Sequence, residues 1–266
     1  AQGPQSIPSF TGSAPATLAH MLARFPPATL SPGDVVVTND PWMGTGHTYD
    51  INVMAPVFHG GRLVAYALSI THLPDIGGVG FGGEATEIHE EGLRLPICKL
   101  MDAGRMNDFL VDLIRGNVRV PEQVLGDVMA NVACVDVLGR QVNEFLAEYG
   151  IADLTALSRQ IRGVAERAMR QRIGAMTDGT YRAAMTIEGV DRPVTLRCAV
   201  AVEGDSITID YAGTDGCVKH GINVPFCFTN GYSIHAVKCL AAAAIPNNGG
   251  ATRPVRVTAP RHSILN

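Results

Sequence analysis

The sequence contains no CxxC pair, no apolar run long enough to cross a bilayer and no block of basic residues. Each absence removes a class of function. The six cysteines, Cys98, Cys134, Cys198, Cys217, Cys227 and Cys239, are scattered. They form neither a zinc ribbon nor a disulfide framework, and read as reduced thiols filling core positions, which points to a cytoplasmic protein. A membrane-spanning helix needs about 20 consecutive apolar residues, so no membrane association is expected. Lys and Arg number 21 against 25 Asp and Glu, for a net charge of -4. No cationic stripe is available to displace counterions from phosphates, so no nucleic-acid partner is expected. There is no GxSxG nucleophile elbow, and the glycines of 77–83 are not followed by the Lys-Ser/Thr ending of a phosphate-binding loop.

What is present is an ordinary folded composition: 46% hydrophobic and 17% charged residues, with 29 Gly and 16 Pro. A chain of 266 residues can bury a substantial core. It opens on Ala1, without an initiator methionine, and ends at Asn266 just after a strand-like segment. It therefore reads as an internal piece of a longer polypeptide, truncated at both ends.

Strand-like β-branched runs at 34–38, 51–58 and 62–70 follow a Pro/Ser/Gly-rich start with one short helix near 16–24. The last two runs flank His59-Gly60-Gly61, a hairpin signal, and His59 in that turn is expected to be exposed. Residues 75–106 read as a glycine-rich loop carrying Glu84, Glu87, Glu90 and Glu91, most simply a solvated acidic face. Apolar residues at three/four spacing predict helices over about 107–149, with Pro121 opening the second half and Gly150 as its cap, and over 154–176. Strands return at 181–188, 194–202 and 206–211, then a helix near 230–244 and a strand at 254–258. The order predicts an α+β fold with mixed or antiparallel sheets covered by amphipathic helices. Its regions are 1–106 (strands, loops and the candidate site), 107–176 (helical) and 177–266 (β-rich), intertwined as one domain.

The chemistry concentrates in the first region. A glycine-flanked loop delivers His47 and, three residues later, Asp50, which begins one strand of the hairpin. His72 ends the other strand, so antiparallel pairing brings Asp50 and His72 to the same end. Two imidazoles and a carboxylate make a ligand set for a divalent metal (Zn, Mn or Fe), and the spacing alone suits a non-haem iron oxygenase equally well. Asp75 and Asp40 are the nearby carboxylates, placed to orient the imidazoles or to accept a proton. The cysteines at 217, 227 and 239 have no base near them in sequence and read as buried thiols.

At these residues the chain resembles the hydantoinase B/oxoprolinase family. The resemblance runs through Pro32-Gly33-Asp34-Val35-Val36 to Asn39-Asp40-Pro41, Gly46-His47 with Asp50, and His72-Leu73-Pro74-Asp75-Ile76-Gly77-Gly78. It continues at Glu90-Glu91-Gly92-Leu93-Arg94-Leu95-Pro96 and at Asp210-Tyr211-Ala212-Gly213-Thr214-Asp215. The resemblance implies a hydrolase that opens cyclic amides such as hydantoins or 5-oxoproline, active with an ATP-using, hydantoinase A-type partner in a hetero-oligomer. ATP and Mg would sit on that partner. It also implies a metal at His47, Asp50 and His72, as in the related acetone and acetophenone carboxylases. A ketone carboxylase component, or a non-catalytic scaffold, is the alternative.

Overall fold

The computed structural model describes residues 2–3, 7 and 10–266. The fold is α+β, and the chain divides into two compact units, one of residues 16–156 and one of 1–15 with 157–266.

The first unit is built on an antiparallel sheet of order β3-β2-β1-β4-β5, from β1 (Val35–Thr38), β2 (Asp50–His59), β3 (Arg62–His72), β4 (Cys98–Asp102) and β5 (Arg105–Met106). Gly60 and Gly61, at φ 55° and 77°, form the two-residue turn between β2 and β3. Positive φ at both positions matches the right-handed twist of the strands it joins. Both faces of the sheet are covered. Val35, Val37, Ile51, Val53 and Val57 share a core with Leu110 and Ile114 of α2 (Asp108–Asn117) and Val124, Val128 and Val135 of α3 (Pro121–Tyr149). On the other face, Val36, Met54 and Ile97 pack with Met21 of α1 (Phe10–Arg24) and Leu30. A strand buried on both faces needs apolar residues at every position, which accounts for the Val35-Val36-Val37 run.

Two sequence expectations change in this unit. The stretch 75–106 is not all loop: β4 pairs with β1 and turns back through Ala103-Gly104 into β5. That pairing is non-local and leaves little trace in local alternation. His59 is not idle either, since its Nδ1–H donates to Asn143 Oδ1 on α3 at 2.7 Å and ties the hairpin turn to the helix. Pro121 opens α3 and Gly150, at φ 61°, caps it, as the sequence suggests.

In the second unit, β6 (Gly179–Ile187), β7 (Val194–Glu203) and β8 (Ser206–Asp210) run antiparallel, and β9 (Val255–Thr258) joins β8 in parallel. The parallel step requires a crossover, supplied by α5 (Phe226–Ala242) and the short α6 (Gly249–Thr252). Ile207, Ile209, Val255 and Val257 pack with Met169 and Ile173 of α4 (Thr155–Ile173) and Ile234 and Val237 of α5. The helical stretch expected as one region at 107–176 is thus shared out, because the apolar faces of α2–α3 and α4 fill different cores. All six cysteines are free, but Cys134, Cys217 and Cys239 are exposed rather than buried as expected. Cys239 lies on an exposed stretch of α5 with Leu240. Among the described residues, no helix is long and apolar enough to cross a membrane.

Candidate metal centre

The residues singled out in sequence meet at one end of the first sheet. Asp50, first residue of β2, stands opposite His72, last residue of β3, so their side chains emerge on the same face. His47 arrives from the loop after β1. That loop is shaped by Asp40, whose Oδ1 accepts hydrogen bonds from the backbone amides of Trp42 (3.0 Å) and Met43 (3.1 Å). Gly46, at φ 115°, then reverses the chain.

Asp50 is buried, its Oδ2 lying 3.3 Å from His47 Nε2 and accepting a hydrogen bond from Thr45 Oγ1 at 2.5 Å. Burial alone would push its carboxyl up. The bond with His47, its charge and the Thr45 hydroxyl outweigh burial and hold Asp50 below the usual carboxylate range. The His47 and His72 rings are 5.0 Å apart between centroids. His72 Nδ1 lies 2.9 Å from the Leu73 carbonyl. A carbonyl only accepts, so Nδ1 carries the proton and Nε2 keeps its lone pair. His47 Nδ1 is buried and has no hydrogen-bond partner. A buried polar atom without a partner is costly; the nitrogen that faces Asp50 is the other one, Nε2, and two imidazoles with one carboxylate are a donor set that fits a divalent cation. Among the described residues, no three His, Cys, Asp or Glu donors already stand in metal-binding arrangement.

The structure separates the two other carboxylates. Asp75 Oδ1 accepts from Gly77 N (3.1 Å) and from the Arg119 guanidinium (2.8 Å), while Oδ2 accepts from the Arg119 amide. Burial raises its carboxyl, but these bonds outweigh it and leave the pKa lowered. Asp75 therefore braces the loop that follows β3, and the Leu73 carbonyl fixes the His72 tautomer in its place. Asp40 keeps its Oδ2 4.0 Å from Arg94 Nε.

Four residues at the site carry no such role in the sequence reading. Buried Asn39 donates through Nδ2 to the carbonyls of Thr48 (2.6 Å) and Leu93 (2.9 Å), and its Oδ1 accepts from Leu95 N (2.6 Å), joining three segments around the site. Its place in Asn39-Asp40-Pro41, at the end of a buried strand, is the signal available in sequence. Tyr49 stacks on His72 at 5.1 Å, and Phe81 stands edge-on to both rings. Glu91, from the stretch read as a solvated acidic face, accepts a hydrogen bond from Thr48 Oγ1 at 2.7 Å.

Comparison with known proteins gives a consistent picture. The family model described as Hydantoinase B/oxoprolinase matches residues 1–266. The B-type component of a putative D-/L-hydantoinase from Pseudomonas sp. (strain NS671) is 27% identical over 256 residues, which is 90% of this chain and 43% of that protein. The crystal structure of an ATP-dependent caprolactamase from Pseudomonas jessenii superposes with a TM-score of 0.89 at 28% identity, over 99% of this chain and 46% of that one. An acetone carboxylase in its nucleotide-free form shares the fold, with a TM-score of 0.85 at 19% identity, over 97% of this chain and 37% of that one. The chain thus spans less than half the length of these relatives.

Proposed function

Because the chain belongs to the hydantoinase B/oxoprolinase family, we propose that it is the metal-bearing part of an ATP-dependent hydrolase that opens cyclic amides. The observation that carries this reading is the meeting of His47, Asp50 and His72 at one sheet end, with His47 Nε2 3.3 Å from Asp50 Oδ2 and the two imidazole rings 5.0 Å apart. Those three side chains would hold the metal, which supplies polarisation of a carbonyl oxygen or activation of water. Asp50 serves as an anionic ligand already held ionised, and His72 presents Nε2 because Leu73 occupies its other nitrogen. Of the two nearby carboxylates, Asp75 has both oxygens committed to Arg119 and Gly77, whereas Asp40 holds the Trp42 and Met43 amides on Oδ1 and meets Arg94 only at 4.0 Å on Oδ2, which supports Asp40 as the proton acceptor.

ATP use is assigned to a hydantoinase A-type partner. The sequence offers no phosphate-binding loop, one relative is named as a single component of a hydantoinase, and another is an ATP-dependent enzyme.

The test is metal analysis of the full-length protein, assembled with its partner, for His47→Ala, Asp50→Ala and His72→Ala. Each is expected to lose bound divalent metal together with hydantoin, lactam or 5-oxoproline opening. Undiminished metal and turnover in the variants would sink the proposal. Ketone plus bicarbonate, offered to the same complex, detects the carboxylase alternative. Metal retained by a wild type that turns over nothing would mark a scaffold.

A further inference from the structure

Thr45 stands two residues before His47 on the loop that follows β1, and it is buried. A hydroxyl taken out of water needs a hydrogen-bond partner. Thr45 finds it in Asp50, whose Oδ2 accepts from Oγ1 at 2.5 Å. The same oxygen lies 3.3 Å from His47 Nε2, so the hydroxyl and the imidazole meet on one atom of the carboxylate.

The loop leaves Thr45 little freedom. Gly44, its neighbour, donates its amide to the Asp40 carbonyl at 2.7 Å, and its own carbonyl accepts from Thr17 Oγ1 of α1 at 3.3 Å. A Cβ on Gly44 would lie 2.8 Å from both the Asp40 carbonyl oxygen and Asn52 Nδ2, so the loop rests directly on buried Asn52. Asn52 is fixed in turn. Its Nδ2 donates to two carbonyls, those of Asp50 (3.1 Å) and Thr38 (3.4 Å), which decides the orientation of the amide. Asp50 and Asn52 are two apart along β2 and share one of its faces. Strand and loop thus hold the carboxylate between them.

Among the described residues, the side chains within hydrogen-bond or ion-pair distance of the Asp50 carboxylate are Thr45 and His47. The two differ in what a cation would leave them. A metal-bound Nε2 gives up its lone pair and carries no proton, so it cannot donate to Asp50 as well. The Thr45 hydroxyl has no such second use, and it stays as the hydrogen-bond donor to a buried carboxylate. An oxygen has two lone pairs, so Oδ2 can keep the Thr45 bond and still act as a ligand.

We propose that Thr45 is a positioning residue of the metal centre: its hydroxyl fixes Asp50 Oδ2, the oxygen turned to His47, and so sets how tightly a divalent cation is held. This rests on the metal reading above and adds to it a residue that is not itself a ligand.

The test uses zinc and cobalt ions with the full-length protein assembled with its partner. Thr45→Val keeps the shape of the side chain and removes the hydroxyl. Its zinc affinity, measured by competition with a chromophoric chelator, should fall about 10- to 100-fold. Thr45→Ser restores the hydroxyl and should bind as the wild type does. The visible absorption of bound cobalt, which reports ligand geometry, should change in Thr45→Val and return in Thr45→Ser. If Thr45→Val does not fold, Thr45→Ala carries the same expectation. A hydroxyl that only stabilised the loop would lower the unfolding midpoint of the metal-free protein and leave zinc affinity and the cobalt spectrum alone. That outcome, or a Thr45→Ser variant that binds no better than Thr45→Val, overturns the inference. Asp50→Ala separates this failure from that of the reading beneath it. If Asp50→Ala loses zinc while Thr45→Val binds it like the wild type, the role of Thr45 falls and the metal centre stands. If the wild type binds neither ion, the metal reading falls and the role of Thr45 with it.

Discussion

Asp34 has no exposed side-chain surface and holds three donors: the amides of Ser31 and Ala103, each at 2.8 Å, and the Lys99 ammonium at 2.9 Å. Burial works to raise its carboxyl, but these donors together outweigh it and keep the pKa below the ordinary carboxylate value. A lowered folded pKa gives stability that is fully present above the unfolded value near 4 and is lost as pH falls through the folded one. Asp34→Asn should therefore cost about 2–4 kcal/mol at neutral pH, with the gap to wild type narrowing below about pH 4. Urea midpoints measured across pH would show it, and a gap independent of pH would contradict it. At this scale the sequence marks the imidazoles and carboxylates but not their company. His47, Asp50 and His72 are legible because a hairpin fixes which residues face each other. The exposed ring of Phe81 is not, because it reaches the site through loop packing that no periodicity encodes.

The β2–β3 hairpin and α3 behave as one element, and their contact is partly polar. Asn131, buried on α3, donates through Nδ2 to Thr71 Oγ1 and accepts from Ser69 Oγ at Oδ1, both at 2.6 Å. Thr71 immediately precedes His72, so this pair of bonds holds the strand that delivers a site residue. Asn131→Leu removes both bonds, leaving the half-buried Ser69 and exposed Thr71 hydroxyls to water, and should lower stability by about 1–2 kcal/mol. Asn131→Asp keeps the acceptor for Ser69 and should recover part of that loss at low pH, where the carboxyl can also donate. Denaturant midpoints for the two variants measure the difference, and equal midpoints at all pH values would rule the polar contact unimportant. Long elements with strong patterns, such as α3 and this hairpin, are readable from the residues alone. The β4–β5 hairpin is not, because Cys98–Asp102 gains its strand identity from β1, some 60 residues earlier. The first turn of α5 is equally silent, lying directly after Pro225 where the helical spacing has not yet begun.

At the scale of the whole chain, the second unit gathers residues from both ends of the sequence. Small contacts do so: Gln2 N donates to the Asn247 carbonyl at 3.2 Å, Asn230 Nδ2 donates to the Gly12 carbonyl at 3.3 Å, and a Cβ on Gly12 would lie 2.6 Å from Gly231 Cα. Two glycines more than 200 residues apart give no local signal, which is why boundaries drawn from composition alone divide the chain differently. The chain has one tryptophan, Trp42. It is 55% exposed on the loop that Asp40 shapes, within the unit of residues 16–156. Ile209, buried in β8, belongs to the other unit. Ile209→Ala should remove about 2–5 kcal/mol there. It should shift part of a far-ultraviolet circular dichroism unfolding curve while the tryptophan emission transition stays in place. Coincident shifts of both signals would mean the two units unfold as one. Trp42 thus works as a built-in lamp on the same loop as His47: without any label, its brightness reports on the unit of residues 16–156 alone.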